Sequence, residues 1–293
     1  MNVLSLFNGM SFGKMALESL DIKVDNYYSS EIDKYAIQAA QALYPDTIQI
    51  GDVTKWREWD LDWSSINLVT GGFPCQAWSM AGKQLGDKDE RGMLFWTMLD
   101  IMKHVRYHNP KADFLIENVK MKKEFEEYIT THTENALGHV HKILINSALV
   151  SAQNRNRYYW TSFEVDQPKD KCIEPIEILD TNGVPATSKR HGGVRVVNMK
   201  ARFNCVTATY YKGVRADSRP GVLLNWSLCG SNFDDLSNSE YRKLTPRECF
   251  RLQTVPEHHI ETLLNSGISN TQLYKMCGNG WTMEVIKHIF KGL

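Results

Sequence analysis

Over its first 150 or so residues the chain alternates short apolar runs with stretches of helical spacing, and this alternation restricts its fold more than any other feature. The runs at 3–7, 26–30, 66–71, 114–119 and 143–150 have the length and content of buried strands. The stretches 13–20, 33–43, 92–107 and 122–130 instead carry apolar residues at helix-type spacing. Strand and helix in alternation predict an α/β fold: a largely parallel, Rossmann-like sheet with helices on both faces, whose ligands bind beyond the carboxyl ends of the strands. From about 162 the character changes to Asn, Gly, Ser and Arg, with isolated β-type runs at 194–198 and 204–211. A second, smaller, strand-rich domain is therefore expected over 162–244. Helix signals then return. Thr245-Pro246-Arg247-Glu248 has a capping threonine, proline at the first helical position and glutamate at the third. Ser269-Asn270-Thr271-Gln272 repeats the capping box, and Gly278 is placed to end that helix. Residues 245–293 are expected to rejoin 1–161 in one domain.

At 293 residues the chain can hold one large domain, or a large and a small one, without staples. Its six cysteines are scattered, with no C-x-x-C pair and no Cys/His cluster at zinc spacing, so a reduced, cytoplasmic protein without a metal is expected. No apolar stretch approaches the roughly 18 to 20 residues of a membrane span, and the first seven residues lack the basic start of a signal peptide. The formal net charge of zero conceals an asymmetry. Lys189, Arg190, Arg195, Lys200, Arg202, Lys212, Arg215 and Arg219 face a single acid, Asp217, between 183 and 220, whereas acids outnumber bases nine to four between 21 and 62. A polyanion would be drawn to the later segment; a solvated basic face is the plainer alternative.

Three segments carry chemistry. Gly71-Gly72-Phe73-Pro74-Cys75-Gln76-Ala77-Trp78-Ser79 follows an expected strand, so Cys75 would sit fixed and exposed at a strand's carboxyl end. A thiol with a pKa of about 8.5 needs activation to act as a nucleophile, and a lone cysteine without further context reads more readily as an inert buried thiol. Phe114-Leu115-Ile116-Glu117-Asn118-Val119 is an apolar strand ending in an acid that can donate to a ring nitrogen. In Ser151-Ala152-Gln153-Asn154-Arg155-Asn156-Arg157, alternation puts Gln153, Arg155 and Arg157 on one face, where two planar guanidinium groups could meet an anionic or carbonyl-bearing ligand.

Taken together, Pro74-Cys75-Gln76, Glu117-Asn118-Val119 and Gln153-Asn154-Arg155-Asn156-Arg157 resemble, in order and spacing, the Pro-Cys-Gln, Glu-Asn-Val and Gln-x-Arg-x-Arg motifs of the C5-cytosine DNA methyltransferases. Leu6-Phe7-Asn8-Gly9 resembles that family's first cofactor motif, Arg242 to Glu248 with Leu252-Gln253 its ninth, and Gly278-Asn279-Gly280 its tenth. In brevity the chain is similar to phage and bacterial members. One departure stands out: Ser11 and Phe12 occupy the place of the glycine pair that usually completes the first motif.

The resemblance implies an S-adenosyl-L-methionine-dependent methyltransferase sheet with a small target-recognition domain. It implies methyl transfer to C5 of a cytosine flipped out of double-stranded DNA, with S-adenosyl-L-homocysteine as product. Cys75 would attack C6, Glu117 would hold N3, and Arg155 would contact the base carbonyl, supported by Gln153 and Arg157. Phe7, Gly9, Glu31, Ile32, Asp52, Val53, Pro74 and Asn279 would line the cofactor, with Glu31 accepting the ribose hydroxyls. Gln76, Ser79, Arg202, Asn204, Thr207, Thr209 and Lys212 would meet DNA, and residues 77–92 would close over the base. Alternatives at this point are the same chemistry on transfer RNA, a catalytically silent DNA-binding homologue, and a thiol hydrolase using Cys75 with a histidine.

Overall fold

The computed structural model describes residues 1–74, 92–180, 183–191, 194–198, 202–214, 220–225, 227 and 240–293, with backbone alone for 186–191 and 194–198. Cys75, Gln76 and Ser79, and all but the last residue of the segment expected to close over the base, lie outside the described residues. The chain divides into two compact units. The first comprises 1–145, 156–167 and 286–293; the second comprises 146–155 and 168–285.

The first unit is built on a seven-stranded sheet. Its elements are β1 (Asn2–Leu6), α1 (Phe12–Glu18), β2 (Asn26–Ser30), α2 (Lys34–Leu43), β3 (Ile48–Gln49), β4 (Ile66–Gly71), α3 (Met93–His108), β5 (Asp113–Val119), α4 (Lys123–Leu137) and β6 (His141–Asn146). After the short β7 (Gln153–Asn154), β8 (Asn156–Thr161) completes the sheet in the order β3-β2-β1-β4-β5-β8-β6. The pairs β1/β2, β2/β3, β1/β4 and β4/β5 are parallel, and β8 runs antiparallel to β5. The chain builds outward from β1 through β2 to β3, then returns to the other edge of β1 as β4. That reversal is the topological switch point, beside which α/β sheets bind ligands. Phe95, Phe114 and Trp160 are fully buried in its core, each contributing about 1.5–3 kcal/mol or more by area.

Two expectations shift here. The strand expected over 143–150 stops at Asn146, whose side chain accepts from Ala148 N–H and caps a single 3₁₀ turn, Ser147–Leu149. The helix expected to end at 130 continues to Leu137, because Ile129, Thr133 and Leu137 keep one face buried.

Among its described residues the second unit holds a four-stranded sheet and three helices. The strands are β9 (Val184–His191), β10 (Val194–Asn198), β12 (Gly221–Leu223) and β13 (Tyr241–Arg242), in the order β10-β9-β12-β13. The pairs β9/β10, β9/β12 and β12/β13 are antiparallel, while β11 (Phe203–Asn204) pairs in parallel with β7. The β-type run at 204–211 is thus a strand only at its start, and a 3₁₀ turn at Tyr210–Lys212 follows. The helices are α5 (Pro246–Leu252), α6 (Glu257–Leu264) and α7 (Asn270–Asn279); α8 (Met283–Phe290) leads back to the first unit.

The capping box at Thr245 and Glu248 forms, but Ser269 makes no side-chain cap to α7. Nor does Gly278 end that helix. It lies in the last turn, where a Cβ would come within 2.1–2.5 Å of the Thr207–Ala208 backbone. The glycine is required by close packing rather than by termination.

Glu248 is completely buried and accepts both Arg242 Nη atoms at 2.8 Å, Asp180 N–H at 3.0 Å and Thr245 N–H at 2.8 Å. Burial pushes its carboxyl up, but the Arg242 and backbone donors outweigh it and hold the group below its ordinary range. A carboxyl depressed in the folded state adds stability that is full above its unfolded pKa and is lost as pH falls through the folded value. Glu248→Gln is expected to flatten the acid limb of stability measured between pH 7 and pH 3 by urea unfolding. Gly278→Ala is expected to lower stability by about 1–3 kcal/mol in the same assay, the usual cost of overpacking against a backbone that cannot yield.

Candidate active site

In the first unit the expected site residues gather at the carboxyl ends of parallel strands. β1 runs into a turn in which Phe7, Gly9 and Ser11 all have left-handed backbones, with φ of 54°, 59° and 67°. Only glycine adopts this region freely, so the two non-glycine residues are held there by their surroundings. The turn is tied to β2: Asn8 N–H donates to Ser30 O at 3.1 Å, and Gly9 N–H donates to Glu31 Oε2 at 2.8 Å. The other Glu31 oxygen accepts from Ile32 N–H at 2.8 Å and Asp33 N–H at 2.9 Å. A carboxylate offers about four acceptor positions, so Oε2 retains one for a hydroxyl group.

Ile32 follows with 74% of its surface exposed, an apolar side chain that the core does not use. Ser30 Oγ donates to Gly51 O at 2.6 Å and brings in the next turn, where Asp52 caps a 3₁₀ helix through Thr54 N–H and Val53 is buried. A carboxylate with a spare acceptor, an exposed apolar platform and a turn whose glycine leaves open space fit a nucleoside bearing ribose hydroxyls.

β4 ends in the Gly71-Gly72-Phe73-Pro74 turn that leads directly to Cys75. Phe73 is buried against Phe95, with ring centroids 5.1 Å apart. Its carbonyl accepts from Asn118 Nδ2 at 3.1 Å, while Asn118 Oδ1 takes Val119 N–H at 2.8 Å. Asn118 therefore clamps the end of β5 to the turn that carries the thiol. The neighbouring Glu117, largely buried, pairs with Arg157: Nε stands 3.0 Å from Oε1. The register explains the meeting, since antiparallel β5 and β8 place Val119 opposite Arg157 and Glu117 opposite Tyr159.

The shared face expected for Gln153, Arg155 and Arg157 divides. Arg157 belongs to β8 and the first unit, whereas Gln153 and Arg155 are built into the second. Arg155 is 2% exposed. Its Nη1 donates to Cys205 Sγ at 3.0 Å and Val206 O at 3.1 Å, and its Nη2 to Gly278 O at 3.1 Å and Gly280 O at 2.6 Å. Gln153, also buried, bonds Leu252 O at 2.6 Å, Gln253 Oε1 at 3.2 Å and Val206 N–H at 3.3 Å. Gln253 continues the network to Cys277 O and Thr282 Oγ1. These acceptors are satisfied within the unit, so the sequence motif here supplies scaffold bonds.

Of the residues expected to meet DNA, Arg202 likewise bonds inward, to Ser151 O at 2.8 Å, Ile173 O at 3.3 Å and Asp170 at 2.9 Å. Thr207, Thr209 and Lys212 are exposed, with the two threonine hydroxyls 3.2 Å apart, and Asn204 is half-buried in β11. Asn279 is exposed at the end of α7. Sequence reasoning quoted Asn118 and Gln253 without giving either a task; each was visible only as one letter of a motif. Among the described residues no group of three or more His, Cys, Asp or Glu side chains could hold a metal, and no helix is long and apolar enough to cross a membrane.

The sequence pattern of the family described as C-5 cytosine-specific DNA methylase matches residues 1–190 and 186–293. Over 98% of its length the chain is 31% identical to the type II methyltransferase M1.ScrFI of Lactococcus lactis subsp. cremoris, of which 76% is covered. Over the same share it is 28% identical to M.HhaI of Haemophilus parahaemolyticus, of which 92% is covered. Among solved structures, the Entamoeba histolytica methyltransferase EhMeth superposes with a TM-score of 0.73 at 17% identity, over 99% of this chain and 97% of that one. A mutant of Spodoptera frugiperda DNMT2 superposes at 0.68, also at 17% identity, over 99% and 98%. These structures share the fold, a Rossmann-like methyltransferase sheet with a smaller strand-rich part. With the family pattern spanning both ends and the middle of the sequence, the chain belongs to the C-5 cytosine-specific DNA methylases.

Proposed function

We propose that Cys75, Glu117 and Arg157 carry out the chemistry of this DNA (cytosine-5-)-methyltransferase on a cytosine flipped from duplex DNA. The observation that carries the assignment is the Glu117–Arg157 pair at 3.0 Å, next in sequence to the Asn118 clamp on the turn preceding Cys75. A carboxyl beside a guanidinium matches N3 and O2 of cytosine, which need a donor and a second donor when attack at C6 drives negative charge into the ring.

Cys75 adds to C6 and makes C5 nucleophilic, which an unactivated cytosine is not. Glu117 holds N3 and neutralises the charge developing there, and Arg157 steadies the carbonyl. S-adenosylmethionine, the methyl donor of this family, supplies an electrophilic methyl group when bound. Departure of the C5 proton and of Cys75 then restores the aromatic ring. Because Arg155 spends its Nη donors on four scaffold acceptors, it acts as a positioning residue, together with Gln153.

Glu31, Ile32, Gly9, Phe7, Asp52, Val53 and Pro74 form the cofactor side of the site in this reading. Residues 162–244 read the target. Thr207, Thr209 and Lys212 are its exposed candidates, and Arg202 supports them from beneath. The basic side chains between 183 and 220 supply salt-dependent phosphate contacts. The bacterial relatives, named as type II methyltransferases, support an enzyme that works in the cytoplasm.

Incubation with labelled S-adenosylmethionine and either duplex DNA or transfer RNA should place label at cytosine C5 of DNA; label confined to RNA would overturn the reading. In the same assay Cys75→Ser should keep cofactor binding and lose covalent trapping on DNA containing 5-fluorocytosine. Glu117→Gln should lower kcat by about 10²–10⁴, the range for loss of a positioned acid, with folding intact by circular dichroism.

A further inference from the structure

Ser11 is fully buried, caps α1 in sequence, and has a left-handed backbone with φ 67° and ψ 39°. Two things that normally justify such a residue are missing. It is not glycine, and its side chain does not cap the helix. Its hydroxyl is instead engaged by Asn8 Nδ2 at 2.8 Å. Asn8 Oδ1 in turn accepts from the Tyr27 hydroxyl at 3.0 Å.

The Ser5 side chain and the backbone of Lys14, in the first turn of α1, stand beside the Tyr27 hydroxyl. Ser5 Oγ accepts from Thr70 Oγ1 at 3.2 Å. Burial pushes the Tyr27 hydroxyl up to about 12, so it remains a donor at any working pH.

The five side chains come from β4, β1, β2 and the β1–α1 turn, and every one is buried. Ser5 and Thr70 are direct partners in the β1/β4 register, and Tyr27 lies one parallel step away on β2, opposite Val3. Tyr27 donates to Asn8 and Asn8 to Ser11, so both hydrogens point towards the turn, while Thr70 donates to Ser5. Such chains polarise one another and hold a single arrangement, and leaving one member unpaired in the interior is costly.

We propose that the bonded series Tyr27–Asn8–Ser11, backed by the buried Ser5–Thr70 pair, is the positioning device that keeps the β1–α1 turn in its left-handed form and thereby sets affinity for the methyl donor. The proposal rests on the reading that this turn and Glu31 hold the cofactor. It makes Asn8 and Ser11 an interdependent pair: the asparagine is needed because the left-handed residue is a serine. A glycine at position 11 would need no such support.

Equilibrium binding of S-adenosylhomocysteine by titration calorimetry tests this directly. Asn8→Ala should weaken binding about tenfold, and Ser11→Gly added to it should restore affinity to within about twofold of the parent protein. Ser11→Gly alone should bind at least as well as the parent. Tyr27→Phe should also weaken binding, and steady-state KM for S-adenosylmethionine should rise in parallel, by more than kcat falls.

Wild-type affinity in Asn8→Ala, or failure of Ser11→Gly to rescue it, would overturn the proposal. Thermal unfolding of each variant separates a local effect from loss of fold, and Thr70→Val offers a milder break in the backing pair, with a smaller loss expected. Glu31→Ala is the control for the site itself. If it leaves binding unchanged, the cofactor reading fails; if it abolishes binding while Asn8→Ala does not weaken it, only the positioning role fails.

Discussion

Parallel pairing of β1 on both edges organises the first unit. With β2 on one side and β4 on the other, the chain must leave the carboxyl end of β1 in one direction and that of β4 in the other. The carboxyl ends of β1 to β5 then share one rim of the sheet. Phe7 and Gly9 follow β1, Glu31 follows β2, Asp52 follows β3, Pro74 follows β4, and Glu117 lies near the end of β5. No two of these strands are adjacent in sequence without a helix or a 3₁₀ segment between them, so no local rule could have gathered these residues. The antiparallel strand β8 adds Arg157 to the same strand end as Glu117, because its register runs against that of β5.

Beside its apolar core the second unit holds buried polar side chains that bond loop backbone, whereas those of the first unit lie mainly on its strands and the turn after β1. Glu248, Gln253, Gln153 and Arg155 are all essentially buried, and each bonds several partners. Irregular backbone explains the difference. Short strands and loops leave carbonyls and amides that no ladder satisfies, and planar side chains with many donors or acceptors can collect them. The cost is high sensitivity, since removal of one partner strands a polar group in a low-dielectric interior.

Periodicity was sufficient for β1, β2, β4 and β5 and for the positions of α1 to α3, because a buried parallel strand and an amphipathic helix leave distinct marks in the sequence; β3 and β8 were not among the runs it marked. It was insufficient at 204–211, where β-type residues fold as a strand of two residues followed by a 3₁₀ turn. It was insufficient also at Gly278, whose neighbour is a loop some seventy positions earlier. The motifs that hold Cys75 and Glu117 were legible as those of the family. The separate destinations of Arg155 and Arg157 were not legible, because alternation along an extended segment gives side but not depth. One arginine is enclosed by carbonyls of α7 and of the loop at 206, and the other faces a carboxylate.

The enclosure of Arg155 has a consequence for modularity. Recognition segments of DNA-modifying enzymes invite exchange, and 162–244 looks from its composition like a cassette. Yet Arg155 reads the backbone at Val206 from outside that segment, and the Thr207–Ala208 backbone leaves Gly278 no room for a side chain. The stretch from 202 to 208 thus belongs to the frame rather than to the insert. A chimera that respects this boundary exchanges only what lies on either side of it, and new specificity must be accommodated around a fixed internal post.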